Sequence, residues 1–239
     1  MKNMNTESET IELSVVDPSM SLVEAVSKRR SVRGFLDKEV PQQVINRIFE
    51  IAQQSPSNCN VQPWKAYVAS GELKESLKKK MYENTTNRVS PNPDYSYTNN
   101  FENEYRTRQV ECAVALYSKM GIGREDKEGR MRAVLRNFKF FDAPHIAFIG
   151  MDPSFGTTVA VDVGMWAQTL MLTMVAFGLH SCPMGTMRNY PDLVRQAFDV
   201  EDGTKILFGI SFGYEDSALP ANETRTTRDA TSCNVVFQS

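Results

Sequence analysis

The sequence is poor in the side chains that most often hold metals or drive nucleophilic chemistry. Among 239 residues there are two histidines, His145 and His180, and four cysteines, Cys59, Cys112, Cys182 and Cys233. The cysteines are far apart with no C-x-x-C pair, and neither histidine lies in an H-E-x-x-H pattern. No metal site and no disulfide framework is therefore expected. A surplus of one charge is also missing, since 27 Lys+Arg stand against 29 Asp+Glu for a net charge of −2. That balance excludes a broadly basic nucleic-acid coat or a polybasic membrane anchor, so neither nucleic acid nor membrane is an expected partner. Any anion has to be gripped locally. The stretch from Met1 through Met20 has no apolar core and does not read as a signal peptide, so the expected setting is reducing and cytoplasmic.

What is present describes a globular protein. The chain is 41% hydrophobic and 23% charged, enough apolar material for a core that needs no covalent staples, and its length suits one to two domains. Residues 1–18 read as a flexible arm, followed by one domain over 19–239. Ser21 is a candidate N-cap for a short helix with Leu22, Val23, Ala25 and Val26 on one apolar face. A second helix begins at Pro41, and Ser55-Pro56 ends it. Trp64–Ala69, His145–Ile149 and Lys205–Phe212 read as strands, and Ser70-Gly71-Glu72 opens another helix. Further helices are expected over Val110–Tyr117, Arg130–Phe140 and Tyr190–Phe198.

Residues 84–108 are irregular and rich in Asn, Thr, Pro and Tyr. A stretch of that length inside a compact domain is usually functional, so a lid-like insertion is expected around 84–135. Thr157–Phe177 is apolar enough to suggest a membrane span, but Asp162, Gln168 and several Thr and Gly interrupt it, favouring a buried central helix. Mixed rather than alternating helices and strands indicate an α+β class.

Two motifs carry little weight. Gly209-Ile210-Ser211-Phe212-Gly213 matches the G-x-S-x-G elbow, but that chemistry needs a histidine after the serine and both histidines precede it. Gly121-Ile122-Gly123 lacks the third glycine of a dinucleotide fingerprint. The informative group is Arg29-Arg30-Ser31-x-Arg33, whose guanidinium forks suit a phosphate, although a solvated basic helix end has the same composition. The second is Ser55-Pro56-Ser57-Asn58-Cys59-Asn60-Val61-Gln62-Pro63-Trp64, where prolines fix a backbone that presents donors and acceptors. Asn222-x-x-Arg225-x-x-Arg228 adds late cations.

Together the spacings R-R-S-x-R-x-F and S-P-S-x-x-N-x-Q-P-W resemble the flavin-dependent nitroreductase family. The resemblance continues through Phe140-Phe141-Asp142-Ala143-Pro144, Asp162-Val-Gly164, Gly178-Leu179-x-x-Cys182-Pro183-Met184-Gly185 and Gly209-x-x-x-Gly213-Tyr214. It implies a nitroreductase-like fold, a mostly antiparallel sheet flanked by helices, with two subunits interlocked as a homodimer and FMN at the interface. On matching positions, Arg29, Arg30, Ser31 and Arg33 would take the FMN phosphate and ribityl chain, joined by Arg225 or Arg228. Pro56, Ser57, Asn58 and Asn60 would lie beside the isoalloxazine ring from the partner subunit. Pro183, Met184, Gly185 and Thr186 would run along the ring near N5, with Gly185 standing where many relatives carry Glu. Asn137, or else Arg136 or Lys139, would meet the pyrimidine edge. Core packing is the expected role of Cys182 and Met184.

The resemblance further implies an oxidoreductase that takes hydride from NADH or NADPH through FMN and passes it to a nitroaromatic, quinone or similar small-molecule acceptor. No amino-acid side chain is then needed as catalyst, because the chemistry sits on the flavin. Other flavin chemistry, such as reductive dehalogenation, and a non-catalytic flavin-binding role are the alternatives. Tyr95, Tyr97, Phe101 and Tyr105 of the insertion could stack on a planar substrate or pack on a partner helix.

Overall fold

The computed structural model describes residues 17–97, 100–201 and 203–238. Most of the arm expected over 1–18 lies outside them; Asp17, the first residue described, is fixed by a forked pair with Arg47 at 2.6 and 2.8 Å. Helix α1 (Leu22–Lys28) starts where Ser21 and Glu24 cap each other, with Ser21 N donating to Glu24 at 3.0 Å and Glu24 N to Ser21 Oγ at 3.3 Å. Helix α2 (Gln42–Ala52) buries Ile45, Ile48 and Ala52. Strand β1 (Trp64–Ser70) leads directly into α3 (Gly71–Thr86).

The stretch that follows α3 is less loose than its composition suggests. Tyr190 Oη donates to the Val89 carbonyl at 3.1 Å, and Asn92 N to the Asn189 carbonyl at 3.0 Å. Asp94 accepts from Arg195 Nη1 at 2.9 Å and from Ile206 N at 2.8 Å. The segment is thus strapped onto later parts of the chain as far as Tyr97. Helices α4 (Asn103–Lys119) and α5 (Lys127–Leu135) fill the rest of the insertion, and a 3-10 stretch over Arg136–Asp142 leads into β2 (His145–Met151).

Helix α6 (Ala160–Ala176) is followed by β3 (His180–Met184), α7 (Pro191–Ala197) and β4 (Lys205–Gly213). The four strands are ordered β1-β2-β4-β3 and every pairing is antiparallel. Strand β3 is not among the strands expected from the sequence. It tolerates Pro183 because it lies at a sheet edge, where a missing N–H costs no ladder bond.

Strand β2 is buried along its whole length, and its alternate side chains feed two cores. Ile146 and Phe148 join Val32, Phe35, Leu77, Met81 and Phe140; Ala147, Ile149 and Met151 join Ile48, Trp64, Val163, Trp166 and Leu170. Thr157–Ala176 is long and apolar enough to cross a membrane by length and composition. Here Val163, Trp166, Leu170 and Met174 are buried in the second core, with Trp166 stacked on Trp64 at 6.0 Å. Its role is that of the central helix.

The apolar face foreseen on α1 is left largely uncovered among the described residues. Helix α1 packs on α6 through Ala25, but Leu22 and Val23 remain 69% and 75% exposed, and Val161 on α6 is 63% exposed.

Candidate functional site

Helix α1 stops at Arg29, whose extended φ/ψ turns the chain onto the sheet edge. Ser31 bridges Ser181 in parallel, with Val32 N donating to the Ser181 carbonyl at 3.0 Å. The arginine segment therefore lies beside β3. Further along, Phe35 bridges Glu215 and Leu36 N bonds the Tyr214 carbonyl at 2.9 Å.

Asn222 joins the early and late cationic segments. Its Oδ1 accepts the Arg33 N–H at 2.7 Å, and its Nδ2 donates to the Gly34 and Asp216 carbonyls at 2.8 and 2.9 Å. Its own carbonyl accepts from Arg225 Nη1 at 2.8 Å and from Arg30 Nε at 3.5 Å. Arg225 is thus the late arginine that the fold brings to the cluster. Arg228 instead folds onto its own segment, bonding Thr226 Oγ1 at 3.0 Å and the Thr227 carbonyl at 2.8 Å.

The cluster's cations are not equivalent. Arg30 Nη2 pairs with Glu215, which also faces His180 Nε2 at 3.6 Å. Arg29 and Arg33 have no carboxylate partner among the described residues and keep their charge free for an external anion. Glu215 was not foreseen, and nothing in the sequence links position 215 to position 30. Burial pushes the Cys182 thiol up to about 11, so this residue packs as a neutral side chain in the core, as expected.

The polar loop is built by its own residues. Ser57 Oγ accepts from Gln62 N at 2.9 Å, and Asn58 N donates to Asp162 at 3.1 Å, fastening the loop to the first turn of α6. Cys59, Asn60 and Gln62 all take positive φ, at 48°, 56° and 49°. Such left-handed residues cost energy and persist where the surroundings hold them, often around ligand sites. Pro56, Asn58 and Asn60 are exposed and Ser57 is half-buried. Among the described residues no hydrogen bond or ion pair joins this loop to the arginine cluster.

The third element is the end of β3 and the 3-10 turn over Gly185–Asn189. Met184 is buried and accepts from Ser211 Oγ through its sulfur at 3.4 Å, which occupies the hydroxyl of the false G-x-S-x-G motif. Gly209 is needed for the same packing, because a Cβ there would stand 2.6 Å from Met187 Cγ. Pro183 and Gly185 are exposed, and the Thr186 hydroxyl is buried with no partner. A buried hydroxyl left without a protein partner is costly unless a water or a ligand atom meets it.

The stretch Arg136–Asp142 packs against this turn. Each of its three ring-edge candidates has a local contact: Asn137 Nδ2 with the Val134 carbonyl at 3.0 Å, Arg136 with Asp142 at 3.2 Å, and Lys139 over the Tyr82 ring at 4.8 Å. A cavity of about 640 Å³, lined by Lys78, Tyr82 and Lys139 among others, includes none of the arginines, the polar loop or the turn.

The family model described as "Nitroreductase family" matches residues 26–214. The chain is 34% identical over 217 residues to nitroreductase NfnB of Mycolicibacterium smegmatis, covering 88% of this chain and 92% of that protein. It is 32% identical over 204 residues to a 4-nitrobenzoate reductase of Pseudomonas putida, covering 85% and 89%. Among solved structures, the FMN and NADPH-dependent nitroreductase NfnB of Sphigopyxis sp. strain HMH superposes with a TM-score of 0.88 at 33% identity, over 92% of this chain and all of the other. The FMN-dependent NfnB of Mycobacterium smegmatis, in complex with NADPH, gives a TM-score of 0.86 at 32% identity with the same coverage.

Proposed function

The chain belongs to the nitroreductase family, and from that premise we propose that it is an FMN-dependent oxidoreductase reducing nitroaromatic acceptors with NAD(P)H. The observation that carries the reading is the meeting of the early and late cationic segments at buried Asn222, which holds the Arg33 backbone and accepts from Arg30 and Arg225, while Arg29, Arg33 and Arg225 all lack a carboxylate partner among the described residues. A dianionic phosphate is the ligand such a group suits, since charge-assisted bonds from planar forks match its oxygens. The unpartnered Thr186 hydroxyl and the exposed Asn58 and Asn60 supply the neutral donors and acceptors that a heteroaromatic ring requires.

In this reading Arg29 and Arg33 hold the phosphate, with Arg225 adding charge and Ser31 lying along the ribityl chain. Arg30 serves chiefly to tie the cluster to Glu215. The bound flavin supplies hydride transfer, accepting from the nicotinamide and giving to the acceptor. Residues Pro183–Thr186 orient the ring through their backbone, and Asn137 meets its pyrimidine edge. The strapped segment up to Tyr97 covers the approach and excludes water.

The site is completed by a second copy of the chain. Support comes from the uncovered apolar side chains of α1 and α6, Leu22, Val23, Val26 and Val161, and from the lack of any bond between the polar loop and the arginines of one chain. Pro56, Ser57, Asn58 and Asn60 then face the ring held by the partner's arginines.

Purified protein loaded with FMN is expected to bleach on anaerobic addition of NADPH or NADH and to regain its yellow colour when nitrobenzene is added. Failure to bind FMN sinks the reading. Binding without bleaching leaves a flavin-binding protein that is not this enzyme.

A further inference from the structure

Three arginines near β3 and the strap have different surroundings. Arg195 pairs with both Asp94 and Asp192, at 2.9 and 2.6 Å. Arg30 pairs with Glu215. Arg188, three positions beyond Gly185, has no carboxylate partner among the described residues. Its guanidinium carbon instead lies 3.6 Å from the centre of the Tyr97 ring. That stack is anchored from the strap side, because Asp94 is held by Arg195 and by Ile206 N.

Stacking occupies a face of a guanidinium and leaves its in-plane N–H groups available. On the side of the turn, Arg188 Nη1 stands 3.7 Å from where a Cβ at position 185 would be, and Gly185 places no side chain there. A half-buried cation, with the Tyr97 ring 3.6 Å from its guanidinium carbon, thus borders the turn along which the flavin is proposed to lie. A carboxylate matches a fixed guanidinium fork with two parallel hydrogen bonds, whereas a neutral ester offers no matching charge.

We propose that Arg188 is a specificity residue that binds the carboxylate of an aromatic acceptor, so that the preferred substrates are nitroaromatic acids. The assignment rests on the FMN-oxidoreductase reading above. Tyr97 acts as the positioning residue that holds the guanidinium flat.

The test compares FMN-loaded wild type with Arg188→Gln and Arg188→Lys, using 4-nitrobenzoate, its methyl ester and the non-reducible ligand benzoate. In Arg188→Gln the ratio of kcat/KM for the acid over the ester is expected to fall at least tenfold, and the benzoate Kd, read from the flavin absorbance change, to rise at least tenfold. Arg188→Lys is expected to fall between, because it keeps charge but loses the fork; should the Gln variant fail to fold, the Lys variant decides by the same two readouts. An unchanged ratio with unchanged benzoate affinity overturns the proposal. A rise confined to the KM of NADPH also overturns it, assigning Arg188 to the nicotinamide's phosphate. If wild type reduces neither acceptor, the oxidoreductase reading fails, and the benzoate titration still decides whether Arg188 binds a carboxylate.

Discussion

Asn222 Oδ1 accepts the backbone N–H of Arg33 at 2.7 Å, joining two residues 189 positions apart in the sequence. Through this bond the loop after β4 sets the backbone of the arginine cluster. Asn222 is 4% exposed, and its side chain bonds Arg33, Gly34 and Asp216.

Asn222→Ala would leave the Arg33 N–H without a partner, whereas the Gly34 and Asp216 carbonyls keep their bonds from Asp216 N and Leu219 N. An unmet donor costs about 1–3 kcal/mol, so a drop in urea or thermal stability is expected. FMN affinity should fall with it, since the Arg33 backbone loses its anchor, while Arg225 keeps its bond to the main-chain carbonyl of position 222. Asn222→Asp is not a rescue, because a carboxylate would face the Gly34 and Asp216 carbonyls. Denaturation curves with a fluorescence titration of FMN check both variants; a wild-type affinity in Asn222→Ala contradicts the role given to this residue.

Removing single cations should separate three classes. If Arg29 and Arg33 hold the FMN phosphate as proposed, Arg33→Ala and Arg29→Ala each delete a charged hydrogen bond worth about 1.5–3 kcal/mol and should weaken FMN by roughly tenfold or more. Arg228→Ala should change affinity little, because its guanidinium bonds its own segment. Arg30→Ala should act mainly on stability by leaving Glu215, half of a largely buried pair, without its cation. Equal losses for Arg33→Ala and Arg228→Ala would count against this ordering.

Much of the architecture was legible because it rests on local patterns. The alternation in Trp64–Ala69, the apolar run His145–Ile149 and the apolar length of Thr157–Phe177 all became the expected elements. Strand β3 was missed because its five residues include Pro183 and its pairing partner β4 lies more than twenty positions later. Helix α4 starts at Asn103, earlier than its apolar part suggests, because none of its residues is buried and no apolar periodicity marks its first turns. The site was legible as residue types but not as contacts. Arg225 and Arg228 have the same chemistry, and only the position of Asn222 distinguishes them. The Asp94–Arg195 and Arg30–Glu215 pairs join residues about 100 and 185 positions apart, and no sequence spacing announces them.

His145 should make stability depend on acid. Val40 N donates to its Nε2 at 3.0 Å, so Nδ1 carries the proton and faces Ser70 Oγ at 2.5 Å. Burial first, and the Lys74 ammonium second, lower its pKa from 6.5 to about 4. Between those values the unfolded chain takes up a proton that the folded chain refuses, so stability should decline as pH falls from about 6.5 towards 4. His180 is also shifted down, chiefly by burial, and adds to the same slope. His145→Gln should be less stable at neutral pH yet show a shallower decline across that window. Denaturant midpoints at several pH values check this; an unaltered slope would remove His145 as a cause.

Gly209 offers a test of how closely the sheet and the turn after β3 depend on each other. It pairs with Met184 across β3 and β4, and a Cβ there would meet Met187 Cγ at 2.6 Å, Met187 Cβ at 2.9 Å and Ile146 Cδ1 at 3.3 Å. The Met187 atoms are the root of the side chain, so a rotamer change alone cannot clear them. The backbone of Gly185–Asn189 has to move, which overpacking data place at about 1–3 kcal/mol. Gly209→Ala should therefore lower stability by that amount and shift the absorbance of bound FMN, because Thr186 and Gly185 move with Met187. Gly121→Ala is the matching control on stability. A Cβ there meets nothing within 4 Å, and its positive φ of 67° adds only the strain of a left-handed alanine. A perturbed flavin spectrum in Gly209→Ala but not in Gly121→Ala would trace the effect to the turn, whereas identical spectra in both would separate the turn from the flavin.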